Sequence, residues 1–164
     1  MFRPRPGTKE DPVKRWALSD CAFFAHGACH ILAGVYLQGP PRPGFRAERI
    51  VPHSPFSGNH IYLTDGTVCF DYRGYTDRAR LLAWFAAGQA RFAPGWRGTI
   101  EAVHFDLLDT AALNARKMRG PDQYLHDPIP RARAFVASKR HDLPICSRDT
   151  DNPTAPLAND RVSA

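Results

Sequence analysis

The chain has 164 residues, 43% of them hydrophobic, a formal net charge of +6 and an isoelectric point near 9.5. That is enough for one domain with a real core, and no apolar run approaches the length of a membrane span. Its four cysteines, Cys21, Cys29, Cys69 and Cys146, form no CxxC pair in a chain that is not cysteine-dense. This argues against a disulfide scaffold and for free thiols in a reducing, cytoplasmic compartment.

Residues 1–15 are rich in proline and basic side chains and are expected to be loose. Met1-Phe2-Arg3-Pro4-Arg5-Pro6-Gly7 lacks the apolar stretch of a secretory signal peptide. Export into another cell without such a peptide is not readable from sequence. Ser19 or Asp20 can cap a helix through Cys21-Ala22-Phe23-Phe24. Gly27 interrupts it, and Ala28 to Leu37 forms a second helical stretch with Ile31, Leu32, Val35 and Tyr36 on one core-facing stripe. Gly39-Pro40-Pro41 stops that helix. A Pro- and Gly-rich loop over 39–58 holds a short strand near Arg49-Ile50-Val51.

The next segment, Asn59 to Tyr72, reads as a β-hairpin. Asp65-Gly66 is a strong signal for a two-residue turn. That turn pairs Leu63 with Val68, Ile61 with Phe70 and His60 with Asp71. Alternation then puts Ile61, Leu63, Val68 and Phe70 on one face, and His60, Tyr62, Cys69 and Asp71 on the other.

Thr76 is expected to cap a helix from Asp77 to Ala87, ended by Gly88. A strand follows at Thr99–Phe105. Asp109 or Thr110 caps a helix running to Arg119 and stopped by Gly120-Pro121. Asp127-Pro128 opens a last helix to about Arg140, whose Arg131, Arg133, Lys139 and Arg140 read as a solvated face. The polar stretch 147–164 is expected to be a disordered tail. The expectation is therefore one α+β domain over 16–146, with an N-terminal helix packed on a small, mainly antiparallel sheet and further helices around it.

The chemistry centres on three side chains. A thiol attacks a carbonyl only as thiolate, so a catalytic cysteine needs a lowered pKa. Cys29 stands in the first turn of a helix, where unpaired N–H groups favour negative charge and can hold an oxyanion. His60 can serve as general base and acid, with Asp71 orienting its ring. An asparagine at position 71 is expected to retain some activity.

At these residues the chain resembles a family. "GACHILAGVY", "NHIYLTDG" and "VCFDYRGY" look like the papain-like superfamily in the broad sense, including transglutaminase-like and NlpC/P60-like peptidases. A GxCH helix followed by an H…DG…D hairpin is also similar to uncharacterised bacterial proteins. The resemblance covers about residues 27–75. It implies a papain-like fold, Cys29 as nucleophile, His60 as base and Asp71 as orienting residue. It also implies amide chemistry (hydrolysis, deamidation or acyl transfer) without specifying the substrate; a protein or peptide amide is the expected partner, and no cofactor or metal is expected. Three departures stand out. The first glutamine, Gln38, follows the cysteine rather than preceding it, the gap between Cys29 and His60 is short for a full-size member, and His30 occupies a position where an apolar or aromatic residue is common.

Three other readings compete. Cys29 could be a small buried hydrophobe in a non-catalytic binding domain of the same fold. Cys21, His26, Cys29 and His30 are close in sequence, but their spacing matches no usual zinc pattern. The basic residues are scattered and carry no nucleic-acid motif, which weighs against a nucleic-acid-associated protein. Cys69 is the rival nucleophile, without helix-terminus activation. The sequence does not give the oligomeric state.

Overall fold

The computed structural model describes residues 5–142. The segment expected to be loose contains helix α1 (Pro12–Trp16), whose N-terminus is closed by Asp11 accepting from the N–H groups of Val13 and Lys14. Helices α2 (Asp20–Ala25) and α3 (Cys29–Gln38) follow, separated by Gly27 at φ +127°. The expected stripe on α3 is fully interior: Ile31, Leu32, Val35 and Tyr36 are all buried. The expected tail at 147–164, and the end of the domain beyond residue 142, lie outside the described residues.

The sheet comprises β1 (Arg46–Pro52), β2 (His60–Thr64), β3 (Val68–Asp71), β4 (Gly74–Asp77) and β5 (Gly98–Ala102). Its order is β4-β3-β2-β1-β5, and every pairing is antiparallel. The β2–β3 register differs from the expected one. Leu63 pairs with Phe70 and Thr64 with Cys69, so Asp65 faces Val68 and the turn residues are Gly66 and Thr67. The Asp65 side chain explains the shift, because its carboxylate accepts from the N–H groups of Thr67 and Val68 and closes the turn from its first position. The pairing is displaced by two residues, so each side chain keeps its expected face; a displacement of one would have exchanged them. His60 and Asp71 are consequently diagonal neighbours rather than directly opposed.

Strand β4 is absent from the sequence reading. Thr76 belongs to it and is not a helix cap. Asp77 is the cap of α4 (Arg78–Ala90), accepting from the Arg80 N–H, and Gly88 is buried inside that helix rather than ending it. Helix α5 (Thr110–Asn114) stops five residues short of Arg119. Met118 N–H bonds back to Leu113 O and Lys117 N–H to Asn114 O, with Lys117 at φ +58°. This is the αL helix ending usually made by glycine. The last helix, α6, spans Pro128–Ala137.

Two cores sandwich the sheet. On one face Ile61, Leu63 and Phe70 pack with Phe23, Phe24, Ile31, Tyr36 and Phe135 from α2, α3 and α6. On the other, Ile50, Tyr62 and Cys69 pack with Leu81 and Phe85 of α4. The mixed α+β architecture and its antiparallel sheet match expectation.

Arg131 is not part of a solvated face. Its guanidinium donates to Asp20 Oδ1 at 2.7 Å, Trp16 O at 2.8 Å and Leu18 O at 2.5 Å, and lies 4.3 Å from the Phe23 ring centroid. It therefore satisfies the carbonyls at the α1–α2 junction and ties that junction to α6. Arg131→Ala is expected to cost about 2–3 kcal/mol, as loss of charge-assisted bonds does. Arg131→Lys is expected to recover little, because one ammonium cannot span the same fork. Denaturant unfolding followed by circular dichroism measures both.

Candidate active site

Cys29 is the first residue of α3, preceded by Ala28 at the N-cap. Alanine offers no side-chain acceptor, and the helix start has no side-chain cap. The first-turn N–H groups of Cys29, His30 and Ile31 therefore have no partner from the helix or from a capping side chain. Cys29 is a half-buried residue on the wall of a cleft of about 940 Å³.

His60 is the first residue of β2, at the end of the strand, where the start of α3 reaches it from the opposite layer. Its ring stacks on Phe85 of α4, with centroids 5.6 Å apart and planes 11° from parallel, and meets Tyr72 edge-on at 5.6 Å. His60 Nε2 bonds to Asp71 Oδ2 at 3.1 Å, and both side chains are buried. The other ring nitrogen, Nδ1, is left for Cys29. The diagonal register is no obstacle, since an imidazole and a carboxylate together span the longer diagonal separation.

Asp71 is itself held. Its Oδ1 accepts from Arg73 N at 2.8 Å and Arg73 Nε at 3.3 Å, and its Oδ2 also accepts from Arg73 Nη2 at 2.8 Å. The backbone bond makes Asp71-Tyr72-Arg73-Gly74 a tight turn between β3 and β4, with Gly74 at φ +94°. The Arg73 guanidinium lies over the rings of Tyr72 and Trp84. Sequence reasoning missed Arg73, although an Asp-x-x-Gly turn signal was present.

Burial alone would push the Cys29 thiol up. Hydrogen bonding with His30 and His60, and then the charges of those rings, overturn this and bring it down to about 5. Burial would likewise favour a neutral His60, but Asp71 and Cys29 hold its proton and raise it to about 9. Burial also opposes the ionised Asp71; His60 and Arg73 prevail and keep it below the usual carboxylate range. Between those two pH values Cys29 and His60 form a thiolate–imidazolium pair. Cys69 behaves oppositely: burial and then the Asp71 charge push it up to about 12, and its thiol donates to Thr76 O. Cys21 is exposed, and Cys146 is outside the described residues.

His30 is buried, and its Nε2 donates to the Arg119 carbonyl at 2.8 Å. That contact joins residues far apart in sequence, and nothing local signals it. Among the described residues, no group of three or more His, Cys, Asp or Glu side chains is arranged to hold a metal ion. Nor is any helix among them long and apolar enough to cross a membrane.

A second buried carboxylate supports the α4 face. Glu48 of β1 accepts from Tyr62 Oη at 2.6 Å and from Arg78 Nε and Nη2 at 2.9 and 2.8 Å. Burial raises its pKa, but Tyr62, Arg78 and Arg46 outweigh that and lower it. Carboxylates with depressed values contribute stability that is complete above their unfolded values, about 4, and lost as pH falls through the lower folded ones. The denaturation midpoint is therefore expected to fall steeply below about pH 4. Glu48→Gln should flatten that acid limb, and unfolding curves across this pH range measure it.

Comparisons with protein-family models, curated proteins and solved structures return no match.

Proposed function

We propose that this chain is a cysteine-dependent amide hydrolase or acyl transferase of the papain-like kind, with Cys29 as nucleophile, His60 as general base and acid, and Asp71 as the orienting group. The observation that carries this reading is a helix-start thiol and a buried imidazole on one cleft, with a buried carboxylate hydrogen-bonded to the imidazole. The thiolate attacks the amide carbon. The oxyanion that forms takes hydrogen bonds from the first-turn N–H groups of α3. His60 gives its proton to the leaving nitrogen, and a thioester to Cys29 remains. His60 then takes a proton from water, or from an amine in the transfer reaction, as that nucleophile releases the acyl group.

The test is alkylation of each cysteine against pH, read by mass spectrometry. Cys29 is expected to reach half its maximal rate near pH 5, and a small free thiol run beside it as reference at about 8.5. The midpoint is the readout rather than the plateau height, because a thiolate of low pKa is intrinsically less nucleophilic. A Cys29 midpoint equal to that of the free reference thiol overturns the assignment and leaves a non-catalytic binding domain as the better reading.

A further inference from the structure

The cleft around Cys29 is strongly cationic. Its walls carry Arg5, Lys9, Arg49, Arg116, Lys117 and Arg119 against a single carboxylate, Glu10. Arg49 is already paired with Glu101 at 2.6 Å. Among the described residues, none of the other five cations has a carboxylate within ion-pair distance. Arg15 of α1 adds to the imbalance. It is buried, its Nη1 has no hydrogen-bond partner among the described residues, and it lies close enough to Arg119 for their charges to repel. A buried guanidinium nitrogen without an acceptor is costly, and an incoming anion that reaches it relieves that cost.

Two further features tie this charge to the nucleophile. Lys117 sits at φ +58°, a conformation natural to glycine and strained for lysine, and it faces the cleft. The Arg119 carbonyl holds His30, the residue after Cys29, so the 116–119 loop is hydrogen-bonded to the start of the nucleophile's helix. The cations come from separate segments, 5–9 and 116–119. That dispersal suits single negative charges spaced along a chain better than one compact polyanion.

We propose that the substrate is an acidic peptide, in which the amide attacked by Cys29 is flanked by carboxylate side chains received by Lys117, Arg119 and the 5–9 segment. The substrate class rests on the amide chemistry proposed above. Guanidinium and ammonium groups take carboxylates through charge-assisted bonds, and the guanidinium does so bidentately.

The experiment uses the full chain carrying Cys29→Ala, so that binding is read without turnover. Fluorescence anisotropy compares labelled hexaglutamate, hexaglutamine and a single-stranded RNA hexamer. Hexaglutamate is expected to bind at least about 10-fold tighter than hexaglutamine and to weaken as salt rises. Lys117→Gly and Arg119→Gln are each expected to weaken it by about 10-fold, the loss of one charge-assisted pair. Lys117→Gly relieves backbone strain, so weakened binding in that variant cannot be ascribed to poorer folding. Equal binding of the two peptides, unchanged affinity in both variants, or tighter binding of the RNA overturns the proposal. Because the thiol is absent here, such a failure leaves the Cys29 alkylation profile untouched. Conversely, an ordinary Cys29 midpoint beside tight hexaglutamate binding defeats the amide chemistry alone.

Discussion

Replacing His60 by alanine is expected to lower amide turnover about 10²–10⁴-fold and to move the Cys29 midpoint upward from about 5. The change removes the proton carrier and the thiolate's buried counter-ion together. The midpoint shift should be partial, because His30 also lowers the Cys29 value and remains in place. The fold should persist. Asp71 keeps its Arg73 bonds, and the lost ring leaves Phe85 packed against Trp96. Cys29→Ala should abolish activity, and the double change should look like Cys29→Ala alone, since members of one catalytic unit do not add. Turnover on a generic amide or ester, thiolate absorbance against pH and circular dichroism together measure this. Full activity in a folded His60→Ala protein defeats the mechanism.

Replacing Asp71 is expected to have the largest effect on stability. Asp71→Ala strands a buried imidazolium and the inner end of Arg73, a break of the kind that costs about 3–5 kcal/mol. The Asp71→Asn variant separates the structure's expectation from the sequence's. Both carboxylate oxygens accept, and every partner is a donor: His60 Nε2 and Arg73 Nη2 on Oδ2, Arg73 N and Nε on Oδ1. An asparagine supplies one acceptor, and its NH₂ must confront donors whichever way the amide turns. Asp71→Asn is therefore expected to cost about 2–3 kcal/mol, a stability loss that the sequence reading, which has the variant keep the fold and some activity, does not foresee. It should also lower the His60 pKa, since a neutral amide holds the imidazolium proton less well than a carboxylate. Denaturant unfolding gives the first quantity, and the alkaline limb of the Cys29 alkylation profile gives the second. An Asp71→Asn protein as stable as the wild type, with an unmoved alkaline limb, contradicts this account.

The facing of the hairpin was legible because its alternation repeats on both arms. Ile61, Leu63 and Phe70 share a face in both the expected and the observed register, because the two differ by two residues. The register itself was not, because Asp65-Gly66 fits two turns. The Asp65 side chain selects the one that places Asp65 before the turn rather than in it. Helix α3 was legible from its stripe, and Cys29 at its head from Gly27. Strand β4 was hidden because Thr76-Asp77 also reads as a helix start. The early end of α5 was hidden because lysine, not glycine, takes the αL position. Arg73 lay beside Asp71 in plain sight, whereas Arg131 at the α1–α2 junction and Arg119 on His30 depend on chain approaches of long range that no local pattern encodes.

The assignment of Cys29 to one layer of the sandwich and of the His60 stacking partner, Phe85, to the other has a consequence for biosynthesis. During synthesis Cys29 emerges well before His60, Asp71 and α4. Until the β2–β3 hairpin has formed and α4 has closed over it, the thiol lacks His60 and with it part of what lowers its value. A nascent or half-assembled chain therefore has a less readily ionised thiol. Full activation of the thiol arises only with completion of both layers, so the order of assembly itself delays it until the chain is folded.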